Sequence, residues 1–248
     1  MKKFLILGII LVLLLGSIGV VSAANLVTNG RFETPLVTSP TKWDIFPSGA
    51  PTLDWTVAWV GDANTFVYQA VTYTKPAIAN LELQKALTDD GITPQEGNQY
   101  AELDSDWNGH VGVLAGEPAN VKISEDLSTI AGGGYHISYW QRCRAIESTC
   151  NLQFGWDAFS ASTGGVGGVS GVWTHHEFDL TAPGTLTTIS FTDTGVPNTY
   201  GTLIDNVDVE LTSTPPSSIP EFPSMALPAA LFVGLLGVVL FIKSTKEN

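Results

Sequence analysis

The residue types best suited to chemistry fall in two short runs. In Gln99-Tyr-Ala-Glu-Leu-Asp-Ser105, Glu102 and Asp104 lie on one side of an alternation whose other side carries Ala101 and Leu103. In Tyr135-His-Ile-Ser-Tyr-Trp-Gln-Arg-Cys143, Trp140 and Arg142 share a face that alternates with Ile137 and Tyr139. This is the two-residue period of a half-buried strand. Carboxylates or amides fix sugar hydroxyls, and the CH face of a sugar ring packs on an aromatic π face. With Trp156 nearby in sequence, the set Glu102, Asp104, Trp140, Arg142 and Trp156 predicts a carbohydrate-binding surface. A competing reading puts the tryptophans in the core and makes Glu102 and Arg142 an ordinary cross-strand ion pair.

Other constellations carry less. Adjacent residues on a strand point to opposite faces, so His175 and His176 cannot both ligate one ion from regular strand geometry. The glycine-rich run 164–171 has no P-loop lysine, and Gly168-Val-Ser-Gly171 lacks the full nucleophile-elbow pattern. Paired acids such as Asp89-Asp90, or Asp104 with Asp106, have the types for acid–base work but no pattern that separates them from solvated surface. The expectation is a non-catalytic binding module, with a structural or adhesive surface protein as the second reading and a glycoside hydrolase as the third.

The elements that must position these residues read as short β runs broken by Gly, Asn, Asp and Pro: 65–73, 99–105, 119–127, 135–143, 150–156, 172–180, 186–194 and 202–211. Residues 80–90 read either as a short helix or as strand and loop. Many short strands at regular spacing predict an all-β sandwich. Cys143 and Cys150 are the chain's two cysteines, and in an exported protein they are expected to form a disulfide closing a hairpin of six intervening residues.

Export is read from the front. Lys2 and Lys3 precede an apolar stretch from Phe4 to Val21, and small residues follow at Ser22-Ala23-Ala24, the pattern of a secretory signal peptide. At the back, Met225 to Ile242 is uncharged and would span about 27 Å as a helix, near a bilayer's hydrocarbon thickness. Lys243 and Lys246 follow and favour the cytoplasmic side. Pro215, Pro216, Pro220 and Pro223 make an extended spacer between domain and membrane. The predicted layout is signal peptide 1–24, sandwich 25–211, linker 212–224, transmembrane helix 225–242 and cytoplasmic tail 243–248, with the domain on the extracellular face.

The formal charge of −13 becomes −15 without Lys2 and Lys3. Such an acidic surface argues against nucleic acid, which needs basic patches. It suits a cation-rich exterior and bound Ca²⁺.

Two resemblances follow from these residues. Pro220-Glu221-Phe222, the apolar helix and the short basic end together resemble the PEF-CTERM sorting signal of archaeal surface proteins, itself similar to the bacterial PEP-CTERM tail. The resemblance implies an archaeosortase-like processing partner and attachment at the membrane. The opening Asn29-Gly-Arg-Phe-Glu33, the middle Glu96-Gly-Asn-Gln-Tyr-Ala101 and the closing Ile204-Asp-Asn-Val207 resemble galactose-binding-like jelly rolls of carbohydrate-binding modules. That resemblance implies two antiparallel sheets and a structural Ca²⁺, held by Glu33 and Asp205 with backbone oxygens around Asn29. Against the metal stands a plain turn at Asn29-Gly30 and a strand cap at Asp205-Asn206.

Overall fold

The computed structural model describes residues 24–61, 65–68, 70–86, 92–111, 118–144, 150–163 and 172–215. The apolar ends and Pro220-Glu221-Phe222 lie outside the described residues. Residues 1–214 and 215–248 form separate units.

The first strands are β1 (Trp43–Pro47), β2 (Thr56–Trp59), β3 (Thr65–Tyr68), β4 (Val71–Thr74), β5 (Asn80–Lys85), β6 (Gln99–Glu102) and β7 (Asp104–Asp106). After them come β8 (Pro118–Ser128), β9 (Gly134–Cys143), β10 (Leu152–Trp156), β11 (Phe159–Thr163), β12 (Thr174–Thr181), β13 (Leu186–Asp193) and β14 (Thr202–Ser213). One sheet runs β1-β5-β6-β14-β9-β12; the other runs β11-β10-β13-β8-β2, with β7 also paired to β8. All these pairings are antiparallel. The predicted all-β sandwich is the observed architecture.

Alternation explains the layering. Along β9, Tyr135, Ile137 and Tyr139 are buried while the residues between them are only half-buried. They pack across the interior onto Phe154, Ile189 and Phe191 of the facing sheet. Tyr139 stands edge-on to Phe191 at 4.8 Å between ring centroids. The N-terminal segment lies along β14, where Leu26 N–H donates to Val209 O at 2.9 Å and Val207 N–H to Gly30 O at 2.8 Å. A side chain at Gly30 would run into the Val207 carbonyl, so this close approach requires glycine.

Several local expectations change. The run 65–73 is a β3–β4 hairpin rather than one strand, with Ala70 at φ +65° in the turn. No Gly, Pro or Asn marks that turn, so the sequence reads through it. The ambiguous 80–90 run contains strand β5. The 99–105 run breaks at Leu103, where the chain leaves one sheet for the other. The Cys143–Cys150 disulfide is present, but it closes no hairpin: β9 and β10 belong to different sheets, so the bridge ties the two layers together.

Candidate functional site

The face of the first sheet that points away from the core collects most of the chemistry. On β9 the alternation that buries Tyr139 turns Trp140 and Arg142 to this side. Register places His175 of β12 and Asp205 of β14 on either flank of Trp140. It also sets Glu82, Glu102, Leu203 and Arg142 in one row across β5, β6, β14 and β9.

Trp140 is half-buried, and its indole stacks on the exposed His175 ring with centroids 4.6 Å apart and planes 29° apart. It rests on a second, smaller apolar cluster of Ile92, Tyr100, Trp173 and Leu203. That cluster is fixed by its own polar handle, since Trp173 Nε1–H donates to Thr93 O at 2.8 Å. His176 turns the other way, stacking on the buried Tyr139 at 5.2 Å. The pair therefore splits between faces as strand geometry requires.

Glu102 shares this face but is fully buried. Its Oε2 accepts Arg144 Nη1–H at 2.6 Å, and its Oε1 accepts Gly201 N–H at 2.8 Å. Gln84 Nε2–H donates to both Glu102 and Glu82, and Glu82 lies directly opposite Glu102. Burial pushes the Glu82 carboxyl up to about 7, against the opposing pull of Arg144, and raises Glu102 in the same way. Competing readings of Glu102 and Arg142 as an ion pair are not what the structure adopts for Glu102: its guanidinium partner is Arg144.

Asp104 leaves the set. The switch of sheets at Leu103 places it on β7, buried, where its Oδ2 accepts the Asn198 and Thr199 N–H groups at 2.5 and 2.8 Å. Trp156 leaves it as well. It is 2% exposed in the sandwich core, packed on Tyr135, and its Nε1–H donates to Thr181 O at 3.2 Å. Strand β10 belongs to the opposite sheet, so its inward residues meet β9 from the inside. Trp140 and Arg142 thus remain together, joined by His175, which the sequence offered only as half of an adjacent pair.

Glu33 and Asp205 do converge, on the backbone of residues 95–99. Glu33 Oε1 accepts Asn98 and Gln99 N–H at 2.6 and 2.9 Å, and Asp205 Oδ2 accepts Gln95 and Glu96 N–H at 2.7 and 3.2 Å. Gly97, at φ +67°, has no room for a side chain against Glu33. Burial drives the Asp205 carboxyl up to about 7, and the Glu33 charge adds to this rise. Asn29 is spent on its turn. Its carbonyl accepts Phe32 N–H and Trp55 Nε1–H, and its side chain bonds Thr34 and Leu53. Both lone pairs of that carbonyl are thereby occupied. Among the described residues no group of three or more His, Cys, Asp or Glu side chains is arranged around a metal position.

No protein-family model and no curated protein matches the sequence. Solved structures similar to the chain include a family 61 carbohydrate-binding module in complex with β-1,4-galactotriose, at 13% identity and a TM-score of 0.39, covering 77% of this chain and 100% of that one. The CBM22-1 xylan-binding domain of Paenibacillus barcinonensis Xyn10C gives 11% identity and a TM-score of 0.38, covering 71% and 100%. A CBM4 structure gives 15% identity and a TM-score of 0.34, covering 74% and 98%.

Proposed function

We propose that this domain is a non-catalytic glycan-binding module whose contact surface is the outward face of β9 and β12. The observation that carries the reading is the Trp140–His175 stack, an aromatic platform half open to solvent with Arg142 beside it on the same strand. Sugar CH groups pack on such rings while the guanidinium donates to hydroxyls. A binding role is favoured over hydrolysis because the adjacent glutamates, Glu82 and Glu102, are 3% and 0% exposed and already hydrogen-bonded to Gln84. An acid–base pair must reach the glycosidic oxygen.

The test is a glycan array with wild type and Trp140→Ala. We expect a hit for envelope or matrix carbohydrate, weakened at least tenfold in the variant, with circular dichroism unchanged. A domain that binds no glycan at millimolar concentration, or binds equally well without Trp140, sinks this reading.

The proposal extends to placement. The signal-peptide pattern, the apolar segment 225–242 and Pro220-Glu221-Phe222 support export, retention at the extracellular face of the membrane and processing by an archaeosortase-like enzyme.

It extends also to Ca²⁺ as a structural ion at Glu33 and Asp205. Two converging carboxylates, with the Glu33 charge felt at Asp205, offer the hard oxygens this cation takes, with backbone carbonyls completing the shell. Bound there, the ion would neutralise the pair and brace the N-terminal segment against β14. Saturating Ca²⁺ at about 100-fold over its Kd is expected to add about 2.7 kcal/mol of stability. The check is a thermal melt with Ca²⁺ and with chelator; identical midpoints would remove the metal.

A further inference from the structure

Residues 195–202 form an irregular crossing between β13 and β14, held by an unusual set of acceptors. Asp193 takes the N–H groups of Gly195 and Thr202 at 2.7 and 2.8 Å. Asp104 takes those of Asn198 and Thr199, and Glu102 takes that of Gly201 at 2.8 Å. Five backbone donors of one short segment therefore end on three buried carboxyls. Gly201 permits this, since any side chain there would collide with Asp104. Arg144, just past the end of β9, closes the arrangement. Its Nη1–H donates to Thr199 O at 3.1 Å as well as to Glu102, its own N–H donates to Gly201 O at 3.2 Å, and its guanidinium lies 5.1 Å over the Tyr200 ring.

Acids outnumber bases around the segment, where buried Lys75 also lines the wall beside Gly195 and Pro197. Glu82 from β5, Glu102 from β6, Asp104 and Asp106 from β7 and Asp193 from β13 converge there. Arg144 touches both glutamates, at 2.6 Å from Glu102 and 3.9 Å from Glu82, and Arg142 stands on β9 in the same row as the two glutamates. Two carboxylates beside one guanidinium in a buried place cannot both stay ionised cheaply. The second Asp104 oxygen, Oδ1, is buried with no hydrogen-bond partner, a position that suits a protonated carboxyl better than a charged one.

We propose that residues 195–202 are a proton-dependent latch. The segment stays closed while the carboxyl cluster beneath it keeps its protons. When those protons leave, like-charge repulsion and the demand for hydration loosen it. Tyr200, 48% exposed at its outer surface, moves with it. Because Arg144 continues the outward row of Trp140 and Arg142, the latch places Tyr200 beside the face assigned above to glycan. Only that last placement rests on the proposed function; the latch itself stands without it.

The experiment is amide hydrogen exchange on the wild-type chain at pH 5.5 and 8.5, expressed as protection factors to remove the intrinsic pH dependence. Protection of the 195–202 amides is expected to fall at least tenfold more at the higher pH than that of the β9 core amides, which follow global stability alone. The Glu82→Gln/Asp104→Asn double variant should show a fall reduced at least threefold, since Glu102 and Asp193 still titrate. A wild-type fall no larger than that of the β9 amides, or the same fall in the double variant, overturns the latch. Glycan binding is scored separately: loss of binding with an intact pH response would overturn the functional reading and leave the latch in place.

Discussion

Arg144→Ala is expected to cost the domain about 3 kcal/mol or more at pH 8, the range seen when one partner of a buried ion pair is removed. The reason is what it would leave behind. Glu102 is fully buried and Glu82 nearly so, and Arg144 is the guanidinium that contacts both. Without it, two facing carboxyls keep only the Gln84 amide and backbone donors. The loss should shrink at pH 5.5, where the raised glutamates are protonated and need no counter-charge. Urea unfolding at the two pH values measures this. A variant within about 0.5 kcal/mol of wild type at pH 8, the scatter of ordinary surface substitutions, would mean the guanidinium is not compensating a buried charge.

The second large effect concerns pH in the wild-type chain. In the unfolded state these carboxyls titrate at about 4. In the fold, burial moves Glu82 and Asp104 up to about 7 and shifts Glu102 and Asp193 in the same direction. The folded state therefore keeps protons that the unfolded state releases. Stability from these groups is fully present below about pH 4 and is lost as pH rises through about 7, with a slope of at most about 1.4 kcal/mol per pH unit for each retained proton. The formal charge of −13 pushes the same way, since self-repulsion grows as carboxyls ionise. Melting at pH 5.5 should thus occur at a higher temperature than at pH 8. An equal or higher midpoint at pH 8 would show that the cluster is not proton-loaded. Glu82→Gln removes one of the two facing acids and should flatten the difference.

Much of the sandwich was legible because its strands alternate cleanly. The 135–143 and 186–194 runs appear as β9 and β13, and β9 buries the residues expected to face inward. What alternation cannot supply is register and sheet membership. Glu102 and Asp104 sit two apart and read as one face, yet the chain changes sheets between them. Trp156 read as a rim residue because it follows β9 closely in sequence, but β10 lies in the other sheet and turns it inward. Arg144 and Tyr200 were missed for the same reason. Nothing local marks either as part of a cluster, and they meet only because residues 195–202 fold back over the end of β9. His175 carries two signals in its alternation with His176. Its alternation with His176 ruled out a shared metal, but the same alternation sets it on the outward side of β12, where register brings it to Trp140.

The most direct measurement is an NMR titration of the seven tryptophan indole N–H signals with the glycan selected on the array. The platform predicts that Trp140 shifts saturably while the core residues Trp55 and Trp156 stay fixed. Saturable binding that leaves the Trp140 signal unmoved would contradict it.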